Sequence, residues 1–166
     1  MSEHKLDRKT KAVFALIITS DTRDLEDDET GRIAIELIEA EGHKVANHTI
    51  VPNDSNMIRA EIEKQLKNSD VQIIVTSGGT GISSKDRTVD TATDLFEREL
   101  PGFGELFRRF SYDEVSANVI ISRSVAGIAK GKVIFCLPGS KNAVRLALSK
   151  IILPSLGHAL WELNRL

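Results

Sequence analysis

A short apolar run followed directly by a glycine-rich turn, at residues 71–81, restricts the fold of this chain most strongly. Residues 71–75 read VQIIV, and such a β-branched run between turn residues is typical of a strand buried on both faces of a sheet. The turn reads TSGGTG at residues 76–81. In open α/β sheets ligands bind beyond the carboxyl ends of the strands, where glycines allow the backbone to approach a ligand closely. The stretch therefore predicts an α/β protein with a ligand site at this turn.

The residues of the turn and of the segment after it favour an anion with a metal ion. Successive N–H groups in a glycine turn make an anion-binding concavity. Ser77, Thr80, Ser83 and Ser84 add hydroxyl groups, Lys85 and Arg87 add positive charge, and Asp86 is the one carboxylate of the loop. This composition suggests phosphate with Mg²⁺, which proteins hold through one or two carboxylates and phosphate oxygens. The spacing GGTG matches neither the dinucleotide fingerprint nor the P-loop, and a plain tight turn accounts for it equally well.

The first half of the chain alternates between apolar strands and amphipathic helices. Predicted strands lie at residues 12–19, 44–51 and 71–75, and each of the two intervals between them contains one helix. This order predicts a parallel sheet with right-handed crossovers. The loops at residues 20–29, 52–55 and 76–88 would then lie at one edge of the sheet.

The second half adds an antiparallel part. We predict helices at residues 91–100, 103–110, 142–152 and 154–163, and strands at residues 119–122, 125–128 and 132–137. A turn at Lys130 and Gly131 joins the last two strands, which indicates a mixed sheet. The predicted fold class is a three-layer α/β architecture with a mostly parallel central sheet, helices on both faces and a small antiparallel extension. Residues 1–11 are expected to form a flexible tail and residues 12–166 a single domain.

Composition indicates which partners and which compartment to expect. The 22 basic and 24 acidic residues give a net charge of −2, without the basic excess of a nucleic-acid or membrane-surface partner. The single Cys136 lies in an apolar run, where we expect it to be buried, and it excludes an internal disulfide. No uninterrupted apolar run approaches the ~18 residues of a membrane span. We therefore expect a cytoplasmic protein that binds small molecules.

Several blocks of the sequence together resemble one family. The blocks TSGGTGISSKDRTVDT, ELPGFGELFRRFS, ISRSVAGIAKGKVIFCLPGS and the opening IITSDTRD…DDETG resemble the MoaB/Mog family of molybdenum cofactor biosynthesis proteins. The resemblance covers residues 12–157, and the spacing from Ser111 to Ser122 is more similar to the MoaB branch. It implies the molybdopterin-binding α/β fold, a homotrimer or higher homo-oligomer, and adenylylation of molybdopterin by Mg-ATP with release of pyrophosphate. A non-catalytic molybdopterin-binding or carrier protein of the same pathway is the alternative.

The resemblance also implies a set of site residues. Residues 78–81 fall in the pterin and nucleotide site, and Asp86 falls at the acid expected to help hold Mg²⁺. Asp86 could instead cap a helix or pair with Lys85 or Arg87, and Ser111 could cap a helix starting at Tyr112. From the residues alone, Ser140 is expected to be the N-cap of the helix at residues 142–152, and Thr30 or Asp28, at the end of a solvated acidic loop, that of the helix after the first strand. The substrate and nucleotide contacts that we assign are Ser20, Asp21, Ser77, Gly78, Gly79, Thr80, Gly81, Ser111, Ser122, Pro138, Gly139 and Ser140.

One position departs from the family pattern. Where the family's adenylyltransferases usually have Pro-Asp after the second strand, this chain has Pro52, Asn53 and Asp54. The amide oxygen of Asn53 can coordinate a cation but brings no charge, so metal affinity falls unless Asp54 takes over by a shift of one residue. We assign Asp86, Asn53 and Asp54 to the catalytic set, and Asp86 and Asp54 to the metal.

Overall fold

Helices and strands alternate along most of the chain. The computed structural model describes residues 10–165, so most of the predicted tail and residue 166 lie outside the described residues. The strands are β1 Val13–Thr19, β2 Lys44–Val51, β3 Ile73–Ser77, β4 Arg98–Glu99, β5 Val125–Ala129 and β6 Lys132–Leu137. The helices are α1 Glu29–Ala40, α2 Ser55–Lys67, α3 Thr88–Thr93, α4 Pro101–Val115, α5 Lys141–Ala147 and α6 Leu153–Asn164. A 3₁₀ helix at Ser116–Ile121 follows α4, and a π-helical turn at Leu148–Ile152 joins α5 to α6.

The strands form one six-stranded sheet in the order β2-β1-β3-β6-β5-β4. The pairs β1–β2, β1–β3 and β3–β6 are parallel, and the pairs β5–β6 and β4–β5 are antiparallel. The mostly parallel sheet with a small antiparallel extension is thereby confirmed. Because β2, β1, β3 and β6 run the same way, their carboxyl ends meet at one edge, and this edge carries the site described below.

Both faces of the sheet are covered, which confirms the three layers. Successive side chains of a strand point to opposite faces. Phe14 and Leu16 of β1 therefore join a core cluster that includes residues of α1, α4, α5 and α6. Ala15 and Ile17 join a second cluster with residues of α2 and α3. Cys136 lies in this second cluster, and burial raises the pKa of its thiol to about 12, so it is a packing residue as expected.

Two local predictions around the antiparallel extension are wrong. The predicted helix at residues 91–100 ends at Thr93, and Arg98–Glu99 instead forms β4. Backbone bonds from Glu97 N to Ile128 O (2.8 Å) and from Leu100 N to Ala126 O (2.8 Å) attach this segment to β5. The predicted strand at residues 119–122 belongs to the 3₁₀ helix that packs on α4, so tertiary contacts override its β-branched composition. The helix predicted at residues 103–110 extends over Pro101–Val115.

The carboxyl-terminal helices run on without a break. The helical stretch Lys141–Asn164 is long and apolar enough to cross a membrane by length and composition, and 44% of its most apolar window is buried. Its buried residues, among them Val144, Leu148 and Leu156, belong to the first core cluster. A core helix passes the same test, and packing is the role that these contacts show.

Candidate functional site

Four loops meet where the parallel strands end, and we call this surface the rim. Asp21, after β1, accepts a hydrogen bond from the backbone N–H of Asn53, after β2 (2.8 Å). A Cβ placed on Gly78, after β3, would lie 2.3 Å from the carbonyl oxygen of Thr19. A Cβ placed on Gly139, after β6, would lie 3.4 Å from Cα of Gly78. The three predicted loops therefore do lie together, and the loop at residues 138–140 joins them.

The glycine loop, residues 78–81, requires glycine at its first two positions. Gly78 and Gly79 have φ values of 106° and 66°, in the left-handed region that L-residues rarely adopt. The space around Gly79 is also too small for a side chain, because a Cβ there would lie 2.4 Å from Oγ1 of Thr88 and 3.0 Å from Oδ1 of Asn53. The loop is packed against β1, α3 and the β2 loop, so its shape is set by its surroundings.

A row of backbone donors at residues 79–82 has no acceptor in the part of the chain that the structure describes. Among residues 10–165, no acceptor is found for the N–H groups of Gly79, Thr80, Gly81 and Ile82. Backbone N–H groups in folded proteins are nearly always paired with protein, water or ligand. Successive free N–H groups in such a turn form an anion-binding nest. The turn therefore has the run of free N–H groups that the prediction of an anion site requires.

Asp86 lies across the last glycine of this loop. Its Oδ2 accepts a hydrogen bond from the backbone N–H of Ser83 (2.9 Å), and a Cβ on Gly81 would lie 2.8 Å from the same oxygen. The helix α3 begins at Thr88 with Arg87 at its N-cap, so the alternative that Asp86 caps a helix is wrong. The carboxylate closes the tight turn at residues 83–86 beside the free N–H groups.

Asn53, and not Asp54, faces the glycine loop. Oδ1 of Asp54 accepts hydrogen bonds from the N–H groups of Asn56 and Met57 (both 3.0 Å), which makes Asp54 the N-cap of α2. The shift of one residue that would bring Asp54 to a metal is therefore not what the structure shows. Its carboxylate already satisfies two orphan donors of a helix start.

The side chain of Asn53 leaves one buried oxygen without a partner. Its Nδ2 donates to Oδ2 of Asp21 (3.3 Å), while its Oδ1 is buried without a hydrogen-bond partner among residues 10–165. The hydrogen bonds from the backbone and side chain of Asn53 lower the pKa of the Asp21 carboxyl. Exchanging the amide atoms would place an oxygen against the Asp21 carboxylate, so the orientation is fixed by this contact. An orphaned acceptor therefore points toward Gly79.

The predicted serines of the rim hold its loops in shape. Oγ of Ser20 accepts from the N–H groups of Thr22 (3.3 Å) and Arg23 (3.1 Å), and Oγ of Ser77 donates to the carbonyl of Pro138 (3.1 Å). Ser140 is the N-cap of α5, as predicted, with Oγ accepting from the N–H of Ala143 (3.2 Å). These hydroxyl groups are therefore engaged within the protein.

Ser111 and Ser122 make their hydrogen bonds elsewhere than on the glycine loop, although Ser122 precedes a residue that contacts this loop. Ser111 is inside α4 and buried, so the alternative that it caps a following helix is wrong. Oγ of Ser122 is hydrogen-bonded to Oγ of Ser124 (2.9 Å). Neither side chain is hydrogen-bonded to the glycine loop in the part of the chain that the structure describes.

Two features of the site were missed from the sequence. Arg123 donates from its backbone N–H to Thr80 O (3.0 Å) and from Nε to Gly81 O (2.8 Å), although an arginine between two serines carries no recognisable signal. Asp28 is the N-cap of α1, which confirms one of the two predicted caps, but the sequence did not indicate that its carboxylate is fully buried and contacts Nε2 of His48 (2.7 Å). Because Asp28 stands in a run of acidic residues, the sequence did not distinguish this buried carboxylate from its exposed neighbours.

Two clefts lie at the rim, and the smaller one adjoins the glycine loop. One of about 640 Å³ lies between the loop after β1 and the end of β2, with Ser20, Leu25 and His48 in its lining. The other, of about 340 Å³, is lined by Asp86, Arg87 and neighbouring residues of the loop and α3. The smaller cleft begins at Ile82, directly after the glycine loop, so it is the cleft next to any phosphate held by that loop.

The oxygen donors of the rim fit a metal ion that arrives with phosphate better than a resident one. Among residues 10–165 there is no cluster of three or more His, Cys, Asp or Glu side chains that could hold a metal. Mg²⁺ keeps several waters and is held by one or two carboxylates plus substrate phosphates. The orphaned Oδ1 of Asn53 and the carboxylates of Asp21 and Asp86 are hard oxygen donors of that kind.

Comparisons with known proteins agree on the family. Residues 15–158 match the family described as probable molybdopterin binding domain. Molybdenum cofactor biosynthesis protein B of Bacillus cereus is 39% identical, covering 99% of this chain and 98% of the relative. The same protein of Staphylococcus aureus strain COL is 42% identical, covering 99% and 100%.

Solved structures give the same result. A crystal structure of molybdenum cofactor biosynthesis protein B superposes with a TM-score of 0.91 at 40% identity, covering 95% of this chain and 98% of the other. That of the tungsten cofactor synthesizing protein MoaB from Pyrococcus furiosus has a TM-score of 0.85 at 34% identity, covering 94% and 99%.

Proposed function

The chain belongs to the molybdopterin-binding family of molybdenum cofactor biosynthesis proteins, and on that premise we propose that it adenylylates molybdopterin with Mg-ATP. The products are adenylylated molybdopterin and pyrophosphate. One observation carries the proposal: four successive N–H groups, from Gly79 to Ile82, have no acceptor in the described chain and lie beside an orphaned amide oxygen. Such a surface is suited to a polyphosphate with its cation.

The N–H groups act by binding negative charge. In nucleotidyl transfer an oxygen of the acceptor phosphate attacks the α-phosphorus in line, and the bond to the pyrophosphate oxygen breaks. Negative charge grows on the leaving pyrophosphate, and fixed N–H groups stabilise it without reorganisation. The reaction needs no side-chain nucleophile, which agrees with a rim whose serine hydroxyls are engaged in loop contacts.

Three oxygen-bearing side chains would hold the magnesium. We assign them as Asp86 at one end of the glycine loop and the hydrogen-bonded pair of Asp21 and Asn53 at the other. Bound Mg²⁺ would neutralise charge on the phosphate oxygens. Asp86 and Asp21 supply charge, whereas Asn53 supplies an amide oxygen, so Mg²⁺ should bind more weakly than at a site with an aspartate at position 53.

The alternative is a molybdopterin-binding carrier without transferase activity. Asn53 favours it, because its amide donates to Asp21 and lowers the charge available to a cation. A carrier would use the same N–H groups for the pterin phosphate and would have no need of ATP.

Turnover separates the two functions. The purified protein is incubated with molybdopterin, ATP and Mg²⁺, and pyrophosphate and adenylylated pterin are quantified. We expect both products in equal amounts, and their loss in Asp86→Ala. Asp94→Ala is the matched control, because Asp94 is an exposed carboxylate at the end of α3, paired with Arg59. Tight binding of molybdopterin without pyrophosphate would establish the carrier instead.

We further propose that the protein assembles as a homo-oligomer, a trimer or higher, in the cytoplasm. Large apolar side chains on α4 and the 3₁₀ helix are exposed: Leu106, Tyr112, Val115, Ile120 and Ile121. Exposed apolar groups that cluster on one part of a surface are typical of an interface. Sedimentation velocity should give the mass of three or more chains, and a monomer at micromolar concentration would contradict this part of the proposal.

A further inference from the structure

Two arginine–aspartate pairs bracket the helix α3 and are closely matched. Arg123 pairs with Asp90 inside the helix (2.8 Å), with side chains 35% and 66% exposed. Arg59 pairs with Asp94 at its end (2.9 Å), with side chains 36% and 68% exposed. As ion pairs at a wet surface, both should contribute little and about equally to stability.

Arg123 differs from Arg59 in what else it holds. Beyond Asp90, its Nε donates to Gly81 O (2.8 Å), its Nη2 donates to Asp86 O (3.4 Å), and its backbone N–H donates to Thr80 O (3.0 Å). The residue thus binds three successive features of the loop: the third and fourth residues of the glycine loop and the carboxylate-bearing turn after it.

These contacts determine where two of the free N–H groups point. In a planar trans peptide unit the C=O and the following N–H point in opposite directions. Because Thr80 O and Gly81 O are both turned toward Arg123, the N–H groups of Gly81 and Ile82 are turned away from it. No cis peptide bond interrupts the described chain. Arg123 therefore holds two neighbouring donors of the nest on the opposite side of the loop.

The guanidinium has little capacity left for a ligand. Its Nη1 and Nη2 take both oxygens of Asp90 (2.8 and 3.1 Å), and Nε and Nη2 take the two loop carbonyls. A planar fork that is engaged on its carboxylate and on backbone oxygens is fixed in place. The side chain of Arg123 therefore fixes the conformation of the loop, and the N–H groups of the loop are left to bind a ligand.

We propose that Arg123 is a positioning residue that orients the N–H groups of Gly81 and Ile82 toward the phosphates of the bound nucleotide. This inference rests on the proposed nucleotide site for its ligand, while the orientation of the loop can be tested without one.

The test compares three variants with the wild type. Arg123→Gln removes the fork, Arg123→Lys keeps the charge but not the fork, and Arg59→Gln removes the matched pair at the other end of α3. The Tm of thermal unfolding should fall somewhat further in Arg123→Gln than in Arg59→Gln, because only Arg123 also donates to Gly81 O and Asp86 O. The ligand-free readout is the ¹⁵N relaxation order parameter of the Gly81 and Ile82 amides, and the ligand readout is KM for Mg-ATP against kcat, or the Kd of Mg-ATP where turnover is absent.

We expect the order parameters of Gly81 and Ile82 to fall from a rigid value of about 0.85 to below about 0.6 in both Arg123 variants and to stay unchanged in Arg59→Gln. The loss of a hydrogen bond of ordinary strength should weaken ligand binding by about tenfold. The Kd or KM for Mg-ATP should rise by a similar factor in Arg123→Gln and Arg123→Lys. A charge effect alone would leave Arg123→Lys like the wild type, and that result would overturn the positioning role.

Equal order parameters at Gly81 and Ile82 in Arg123→Gln and Arg59→Gln would also overturn the inference, because the contacts to the loop would then have no effect beyond the ion pair. Failure of the proposed function would look different. A wild type that neither turns over nor binds Mg-ATP would refute the nucleotide site, while the comparison of order parameters would still decide whether Arg123 orients the loop.

Discussion

The two ends of the parallel strands differ in whether their backbone polar groups have hydrogen-bond partners in the described chain. At the amino ends, Nζ of Lys132 donates to the carbonyls of Gln65 (3.3 Å), Val71 (2.7 Å) and Asn68, which closes the end of α2 and its link to β3. The N–H of Val13 there donates to Oε1 of Gln72 (2.8 Å). At the carboxyl ends, the N–H groups from Gly79 to Ile82 find no acceptor in the described chain.

The difference suggests that residues at the amino ends stabilise the fold, whereas residues at the carboxyl ends are available to bind a ligand. At the amino end, Oε1 of Gln65 is buried without a hydrogen-bond partner among the described residues, but backbone carbonyls there accept hydrogen bonds from the buried Lys132. Unpaired polar groups are costly where no water or ligand reaches them. A row of open donors is therefore expected where water or a ligand reaches it, as at this rim, where Ile82 is exposed. Substitutions at one end should change stability, and those at the other should change binding.

The largest effect should come from Gly79→Val, which breaks the carboxyl end. The new side chain would meet Thr88 and Asn53 at a φ of 66°, so we expect a loss of about 4 kcal/mol in the free energy of unfolding and no measurable binding of Mg-ATP. Gly131→Val is the control, because Gly131 has a similar φ of 72° but nothing within 4 Å of a Cβ. Denaturant unfolding should show about 1–2 kcal/mol for the control, and equal losses would mean that packing around Gly79 is unimportant.

Lys132→Met should break the amino end alone. Three carbonyls would lose their donor in a buried position, so we expect a loss of about 3 kcal/mol in the free energy of unfolding. The Kd of Mg-ATP should not change, as measured by calorimetry at a temperature where the variant is folded. Lys130→Met, at an exposed turn residue, should leave both quantities unchanged. A higher Kd of Mg-ATP in Lys132→Met would contradict the division of roles between the two ends.

Asn53→Asp should sharpen the comparison by making the carboxyl end depend on a cation. The substitution places a carboxylate against Asp21, so without divalent ions the Tm should fall by a few degrees. Mg²⁺ should restore the Tm with a saturable dependence steeper than that of the wild type. Differential scanning fluorimetry across a magnesium series measures both, and identical curves for the two proteins would place Asn53 away from the metal.

The smallest effect concerns the titration of Asp90. Hydrogen bonds from Arg123 lower the pKa of this carboxyl below its usual 3.8, so the pair stabilises the fold above that pH and stops doing so as the pH falls through the lowered pKa. In Arg123→Gln we expect the pKa of Asp90 to return toward 3.8, as followed by carboxyl carbon NMR. The stability difference between the two proteins should disappear in acid. An unchanged pKa would mean that the pair is not formed in solution.

The sequence was informative where a pattern has one physical cause. Continuous apolar runs at β1, β3 and β6 indicated strands covered on both faces, and a glycine turn after β3 indicated the anion-binding edge. Ser140 was recognisable as a cap because its role is local to its own helix.

Features that depend on distant partners were not predictable. Residues 119–122 include three β-branched side chains and predict a strand, but packing on α4 determines their structure. The strand β4 has only two residues and is stabilised by its pairing with β5. Nothing near Arg123 in sequence indicates that it reaches Gly81 and Asp90. The choice between Asn53 and Asp54 likewise required knowing that Asp54 caps α2.

The most direct test is an amide NMR titration with Mg-ATP and, separately, with molybdopterin. The account predicts that the ¹⁵N–¹H signals of Gly79, Thr80, Gly81 and Ile82 move downfield together and saturate with one ligand per chain, because these N–H groups acquire an acceptor. Saturable binding that leaves these four signals unmoved would contradict the central claim that the open donors at the carboxyl ends of the strands hold the phosphates.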